Sequence, residues 1–590
     1  MRFSKSNHPM RSTLAAASRI AAFLVCLSSC TSGVTDVAPP GPAGEQPGGA
    51  GASTGGASGG ASNAAGGTAV GAGSGGTSAL KPFAPAAQSL HRLTRSQFQN
   101  SLTALLGKVT LSDVENDTYI GGFATVGAGV IVTSSTGVEQ YQAAIDGALD
   151  QVFADTARRN QLVGCTPKTP LDTPCAQTFI TTFGRLAWRH PLTSAQVDRY
   201  VSLATSAATS LSDSYEGLKW AASALLQSPN FLYRSERGTP VTGAPDRNQY
   251  TPYELASKLA FFVWNSTPDL ALLDAAESGE LGTPDGYVRQ AQRVLDAPQG
   301  HEAVVNFARE FLRTDRLLGM AKDAATYPAF TNTLSAAMGT EVLRLWENTA
   351  FDRDSSALEL FTTQQTFVNK ELGALYGLDT STLSADTFSQ VTFGATSGRS
   401  GILTAAAALA TQANQKEGSP TLRGRFLREK FLCLQIPDPP ANVSTTFEDP
   451  PAGVVYTKRE KMVNHEKVPT CAACHTLMDP LGFSLEHFDA IGAYRATDSG
   501  KPIDTTGTIG SQPFSDAPSL GKIIATAPET APCLVRNLYS YATGHTIADT
   551  EEVAVQNLAS DFATSGNRLR ALVLALVTSD SFKLVAPESP

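Results

Sequence analysis

Only six methionines occur in 590 residues, and none follows Met478. Beyond the N-terminal segment, no run approaches the ~20 apolar residues that a membrane-crossing helix needs. No basic block is present to grip nucleic acid, and the net charge of −9 is modest and spread out, which favours solubility without pointing to a charged partner. A Gly-rich phosphate loop, a nucleophile elbow and a zinc-protease helix are all missing, which weighs against a hydrolase. Fixed-period repeats are absent, and β signals are few and short.

What is present begins with Arg2, Lys5, Arg11 and Arg19 ahead of an apolar stretch from Ile20 to Leu27. This is the layout of a secretory signal peptide. It closes on Leu27-Ser28-Ser29-Cys30, which resembles the bacterial lipobox, so Cys30 is expected to become the acylated first residue of a lipoprotein. Two or more acyl chains make a stable anchor. The simpler alternative is that Cys30 merely follows an ordinary leader. Because no Asp follows Cys30, the outer membrane is expected over the inner. From Pro39 to Ser78 the chain is nearly all Gly, Ala, Ser, Thr and Pro, a composition that cannot bury a core. About 40 such residues would act as a tether on the order of 35 Å long.

The remaining ~500 residues exceed what one core usually needs, so several packed domains or one composite body are expected. Apolar residues recur three and four apart, and Gly and Pro fall at the joints, which predicts a mostly α fold. Helices are expected at about 286–318, 334–353, 401–414, 422–434, 529–543 and 566–583, with a polar, turn-rich stretch at 380–398.

One motif carries chemistry: Cys471-Ala472-Ala473-Cys474-His475. At this spacing two thiols add to the vinyl groups of haem while the adjoining imidazole reaches the iron, all from one helical turn. Covalent haem c, held by Cys471 and Cys474 with His475 as proximal ligand, is the leading reading. A structural zinc would need two more close ligands, and there is no second Cys-x-x-Cys. A thioredoxin-like pair would need a βαβ setting. A plain Cys471 to Cys474 disulfide is the strongest rival.

The lack of any later methionine removes the usual downstream sixth ligand. Met478 lies too close to His475 to cross to the other haem face, which leaves His465, His487, His545 and Met462. His465 is the first choice, because it precedes the motif in a loop able to fold over the ring; an open sixth position would favour peroxide or oxygen chemistry. After the motif, Asp479-Pro480 is expected to stop the haem-binding turn. Leu481, Phe483, Leu485 and Phe488 are either a wall for a macrocycle or ordinary core, and Glu486, Asp489 and Arg495 read best as a paired structural cluster. Cys165 and Cys175 bracket a Pro-rich loop that a local disulfide would close. If haem takes Cys471 and Cys474, Cys433 and Cys533 are left as a second candidate pair, although spacing alone does not fix connectivity.

The residues from His465 to Arg495 resemble the Cys-x-x-Cys-His module of a multidomain planctomycete and myxobacterial family centred on the domain of unknown function 1592. Arg92, Thr94, Gln97 and Phe98 with Leu105-Leu106-Gly107 resemble its first module. Trp188-Arg189-His190-Pro191-Leu192-Thr193 resembles the second, and Ser228-Pro229-Asn230-Phe231 with Lys258, Phe262 and Trp264 the central one. Arg399, Ser419-Pro420 and Arg423-Gly424 open the haem-motif module, and Val535 to His545 begins the last. The family usually has Arg where His545 stands, and often where His190 stands, which argues against His545 as a general ligand.

After a signal peptide and lipobox at 1–30 and a tether at 31–86, which stands where many planctomycete members carry a separate cytochrome-like domain, the resemblance implies helical modules at 87–155, 156–205 and 210–380. A haem c-like module at 395–508 and a C-terminal helical module at 512–587 complete the modular order. The expected function is an exported, lipid-anchored c-type haem protein for electron transfer or oxidative chemistry at the cell envelope. Its partners would be the membrane, through the anchor, and an unidentified redox partner or extracellular substrate; if it is an enzyme, it is a haem-dependent oxidoreductase. The rival is a haem-free, disulfide-stapled surface scaffold or binding protein.

Overall fold

Helix starts are written into this chain by side chains that satisfy the otherwise orphaned first-turn N–H groups. Thr94 with Gln97, Thr193 with Gln196, Thr251 with Glu254 and Thr457 with Glu460 each form a reciprocal capping box. The computed structural model describes residues 80–437, 451 and 453–588, and in these the regular structure is mainly helical. The expected signal peptide, the lipobox Cys30 and most of the tether lie outside the described residues.

Two hydrophobic cores organise the chain. The smaller gathers Leu93, Phe98, Tyr141, Phe179, Trp188 and Phe231 from the N-terminal helices. The larger runs from Tyr250 to Val585 and also takes in Phe123 and Val126. The helix Pro252–Val263 is the wall between them: every residue from Leu255 to Val263 is buried, and Phe261 belongs to the small core while Leu259 and Phe262 belong to the large one. A helix apolar on all sides is what such a shared position demands.

The strands are short and antiparallel. Ser89–Arg92 pairs with Tyr233–Glu236, placing His91 opposite Arg234. Gln365–Val368 pairs with Ser389–Thr392, so the polar stretch at 380–398 contains a strand. Two disulfides form, Cys165–Cys175 and Cys433–Cys533. The second joins positions 100 residues apart and so closes a loop containing the whole Cys-x-x-Cys-His segment.

Several expected helices are differently bounded. The 286–318 stretch divides into Pro284–Asp296 and Glu302–Phe311, with a short 3-10 turn Pro298–His301 between them, because Pro298 cannot supply the N–H that an uninterrupted helix needs. The helix expected at 422–434 is Pro420–Phe426 continued by one wider π turn, Leu427–Phe431. An unexpected helix, Glu552–Thr564, precedes Leu569–Thr578.

Candidate functional site

Pro469 opens the motif helix, Pro469–Phe483, at the position where a missing N–H costs nothing. Positions three and four apart share one helix face, so Cys471, Cys474 and His475 project together. Cys471 is buried and Cys474 half-buried, and both are free thiols. The thiol of Cys474 lies 3.5 Å from the carbonyl oxygen of Pro437.

The helix does not stop at Asp479-Pro480 as expected but continues through Pro480 to Phe483. An interior proline costs about 3 kcal/mol in a helix, and tertiary packing offsets that cost. Leu481 and Phe483 are buried. A second helix, Pro420–Phe426, crosses so closely that a Cβ at Gly424 would overlap the Met478 carbonyl and one at Gly482 would overlap the Pro420 carbonyl. Two glycines thus permit backbone-to-backbone contact where any side chain would hold the helices apart.

Continuing the helix has a chemical consequence. Asp479 falls four residues after His475, and its Oδ2 lies 2.8 Å from Nδ1 of the imidazole. Asp479 is fully buried, and its Oδ1 accepts a hydrogen bond of 2.8 Å from the Thr421 hydroxyl on the crossing helix. The hydrogen bond to Asp479 raises the His475 pKa above its ordinary value, against the lowering effect of burial. With Nδ1 engaged, Nε2 is the nitrogen left to meet a ligand, the arrangement by which a carboxylate fixes the tautomer and raises the basicity of a metal-binding histidine.

His465 ends the preceding helix, Lys458–His465, and its ring meets that of His475 edge to face with centroids 5.1 Å apart. Glu466 follows; burial, and then the Asp479 charge, push its carboxyl pKa up. Rings in contact leave no gap for a porphyrin between them, so ligation by both histidines from opposite faces requires the turn at 466–468 to open.

The other candidates are elsewhere. His487 bonds through Nδ1 to the Arg495 carbonyl and stacks on Tyr494. His545 sits 2.9 Å from Glu551 in the C-terminal module, and Met462 is buried. Leu481, Leu485 and Phe488 belong to the large core, and Phe483 lies under the Arg459 guanidinium. Glu486 is paired with Arg495 at 2.6 Å. The segment after the motif is held by two buried arginines: Arg423 donates to the Leu485 and Phe488 carbonyls, and Arg399 to those of Thr404 and Gly492.

The donor set suits haem better than a bare metal ion. Among the described residues no group of three or more His, Cys, Asp or Glu side chains gathers as a metal site, whereas haem iron needs one or two protein ligands. Two free thiols stand beside an imidazole oriented through Nδ1, and Val454, Val455, Val463 and Val468 around the motif are exposed. A cleft of about 450 Å³ with mixed lining adjoins the flanking helix, bordered by Arg459, Val463, Asn464, Lys501, Ile503 and Asp504.

Fold and site together define a mostly helical, disulfide-linked protein of consecutive modules, with a Cys-x-x-Cys-His motif on a helix. Five family models match in chain order, all described as Protein of unknown function: DUF1587 at residues 91–154, DUF1595 at 175–236, DUF1592 at 250–378, DUF1588 at 399–498 and DUF1585 at 510–582. The chain belongs to the multidomain family built around the domain of unknown function 1592. No curated protein and no solved structure matches it.

Sequence reasoning named Cys471, Cys474, His475 and His465, and the structure brings all four to the motif helix and its flank. It missed Asp479 as a partner of His475, along with Thr421, Gly424 and Gly482. The i, i+4 spacing of His475 and Asp479 was the available signal, hidden by reading Pro480 as a helix stop.

Proposed function

We propose that this chain is an exported, lipid-anchored c-type haem protein that serves electron transfer or oxidative chemistry at the cell envelope. The observation that carries the reading is the face of the motif helix: Cys471 and Cys474 stay thiols, while His475 is oriented by a buried carboxylate. Cys471 and Cys474 would each add S–H across one vinyl group, forming a thioether with no atom lost and no oxidant required. His475 would supply the proximal nitrogen, and His465 is the proposed sixth ligand once the turn at 466–468 opens. A haem held there supplies a one-electron couple and, with an open sixth position, a place for peroxide or oxygen. Cys30 would carry the acyl anchor, with the outer membrane as the proposed destination, and the redox partner or extracellular substrate is unidentified.

A pyridine haemochrome spectrum tests this on full-length protein made with a haem c maturation system. A c-type band that survives acid-acetone extraction, and disappears in Cys471→Ala/Cys474→Ala, is expected. A folded, fully matured protein without that band would overturn the haem reading. It would leave the haem-free scaffold, a reading favoured by the two disulfides and by the direct contact of the His465 and His475 rings.

A further inference from the structure

A carboxylate removed from water needs a compensating positive charge or a full set of donors. Asp479 is fully buried. Its oxygens are engaged by His475 Nδ1 and by the Thr421 hydroxyl, each at 2.8 Å. Among the described residues no Lys or Arg lies within ion-pair distance of it, and its charged partner is His475. Two other acids nearby have cationic partners, Glu486 with Arg495 and Glu460 with Lys501, whereas Glu466, like Asp479, has no Lys or Arg partner among the described residues and feels the Asp479 charge. The contact is direct: a buried carboxylate oxygen meets Nδ1 of His475 at 2.8 Å, so the electron density available at Nε2 depends on Asp479.

Resting on the haem reading above, we infer that Asp479 is a positioning residue that gives His475 imidazolate character and holds the iron at a low reduction potential. A ring that donates Nδ1–H to a full carboxylate is a stronger electron donor than one bonded to a neutral carbonyl, so it favours Fe(III) over Fe(II). Thr421 opposes this, because its hydroxyl draws charge from the other carboxylate oxygen. The site is thus built to stabilise oxidised iron, which suits oxidative chemistry or exchange with a strongly reducing partner better than high-potential electron carriage.

Redox titration of the haem-loaded full chain, followed by its absorption spectrum, separates the possibilities. Asp479→Asn keeps the size and removes the charge; at a fixed applied potential the Fe(III)/Fe(II) ratio should fall at least tenfold, an upward shift of about 59 mV or more for one electron. Thr421→Val should move the midpoint the other way, by less. A merely structural role would move neither. Haem-loaded Asp479→Asn that titrates with the wild type would overturn the inference while leaving the haem reading intact. If that variant does not fold, an unchanged midpoint in Thr421→Val overturns it instead. Absence of the c-type band in the wild type removes both.

Discussion

Of the histidines that this molecule sets near carboxylates, His475 and His91 are treated in opposite ways. In the motif helix, Asp479 lacks a Lys or Arg partner among the described residues and holds His475 directly, which raises the imidazole pKa. At the junction where the strand Tyr233–Glu236 meets the helix Pro252–Val263, Glu236 is neutralised by Lys258 at 2.7 Å and Arg234 at 3.3 Å. His91 is consequently left neutral: burial pushes its pKa from 6.5 to about 3, the Glu236 charge opposes this, and Arg234, Lys258 and His545 reinforce it. The backbones of Gly129 and Gly544 close over its ring. The enclosed Glu236 has cations from two neighbouring side chains, whereas the motif pair consists of a partly exposed imidazole and a buried carboxylate that meets it directly.

The largest expected effect breaks the junction. Lys258→Met removes the closer cation from Glu236 and leaves the more distant Arg234 as its ion-pair partner; breaking a buried pair in this way should cost up to about 3–5 kcal/mol, read as a lower urea midpoint. A loss below about 1 kcal/mol would show that Glu236 is not the enclosed, cation-dependent group described here.

The next contrast is in pH. His91 binds its proton more weakly folded than unfolded, so its contribution is present above pH 6.5 and lost as pH falls from there towards about 3. At pH 5 the loss should reach about 2 kcal/mol. Comparing unfolding of wild type and His91→Gln at pH 7.5 and pH 5 isolates it, because the variant should lack this component. His475, with its pKa raised, has the opposite sign: its contribution is present below the unfolded pKa and is lost as pH rises through the folded one. Parallel slopes in His91→Gln and His475→Gln would abolish the distinction.

The smallest effect is on stability at the motif. Asp479→Asn deletes a charge without stranding a buried cation, since the His475 ring is partly exposed, so thermal or urea unfolding of the haem-free protein should change by about 1 kcal/mol. A loss as large as that of Lys258→Met would make the dyad structural.

Much of this was legible in sequence for definable reasons. Capping pairs such as Thr251 with Glu254 and the helical stripes are local signals, and they recur in the structure. The Cys-x-x-Cys-His motif is local too, since one helical turn aligns its three side chains. Illegible were features that depend on residues distant in the chain. Pro480 reads as a helix stop until the Gly424 and Gly482 crossing packs against a helix that continues past it to Phe483. Phe261 cannot be assigned to a different core from its neighbour Phe262 until both cores exist.

The sequence by itself determined the helical class, the modular order and the shared face of the motif residues, because periodicity, capping and i, i+3, i+4 spacing act within a few residues. Only the tertiary structure decided that Asp479 is buried beneath His475, that His465 lies against the same ring, and that His91 is enclosed with its pKa pushed down. Burial and charge balance are set by what packs around a group: Thr421 reaches Asp479 across 58 residues of chain and Lys258 reaches Glu236 across 22, and no local pattern encodes those meetings.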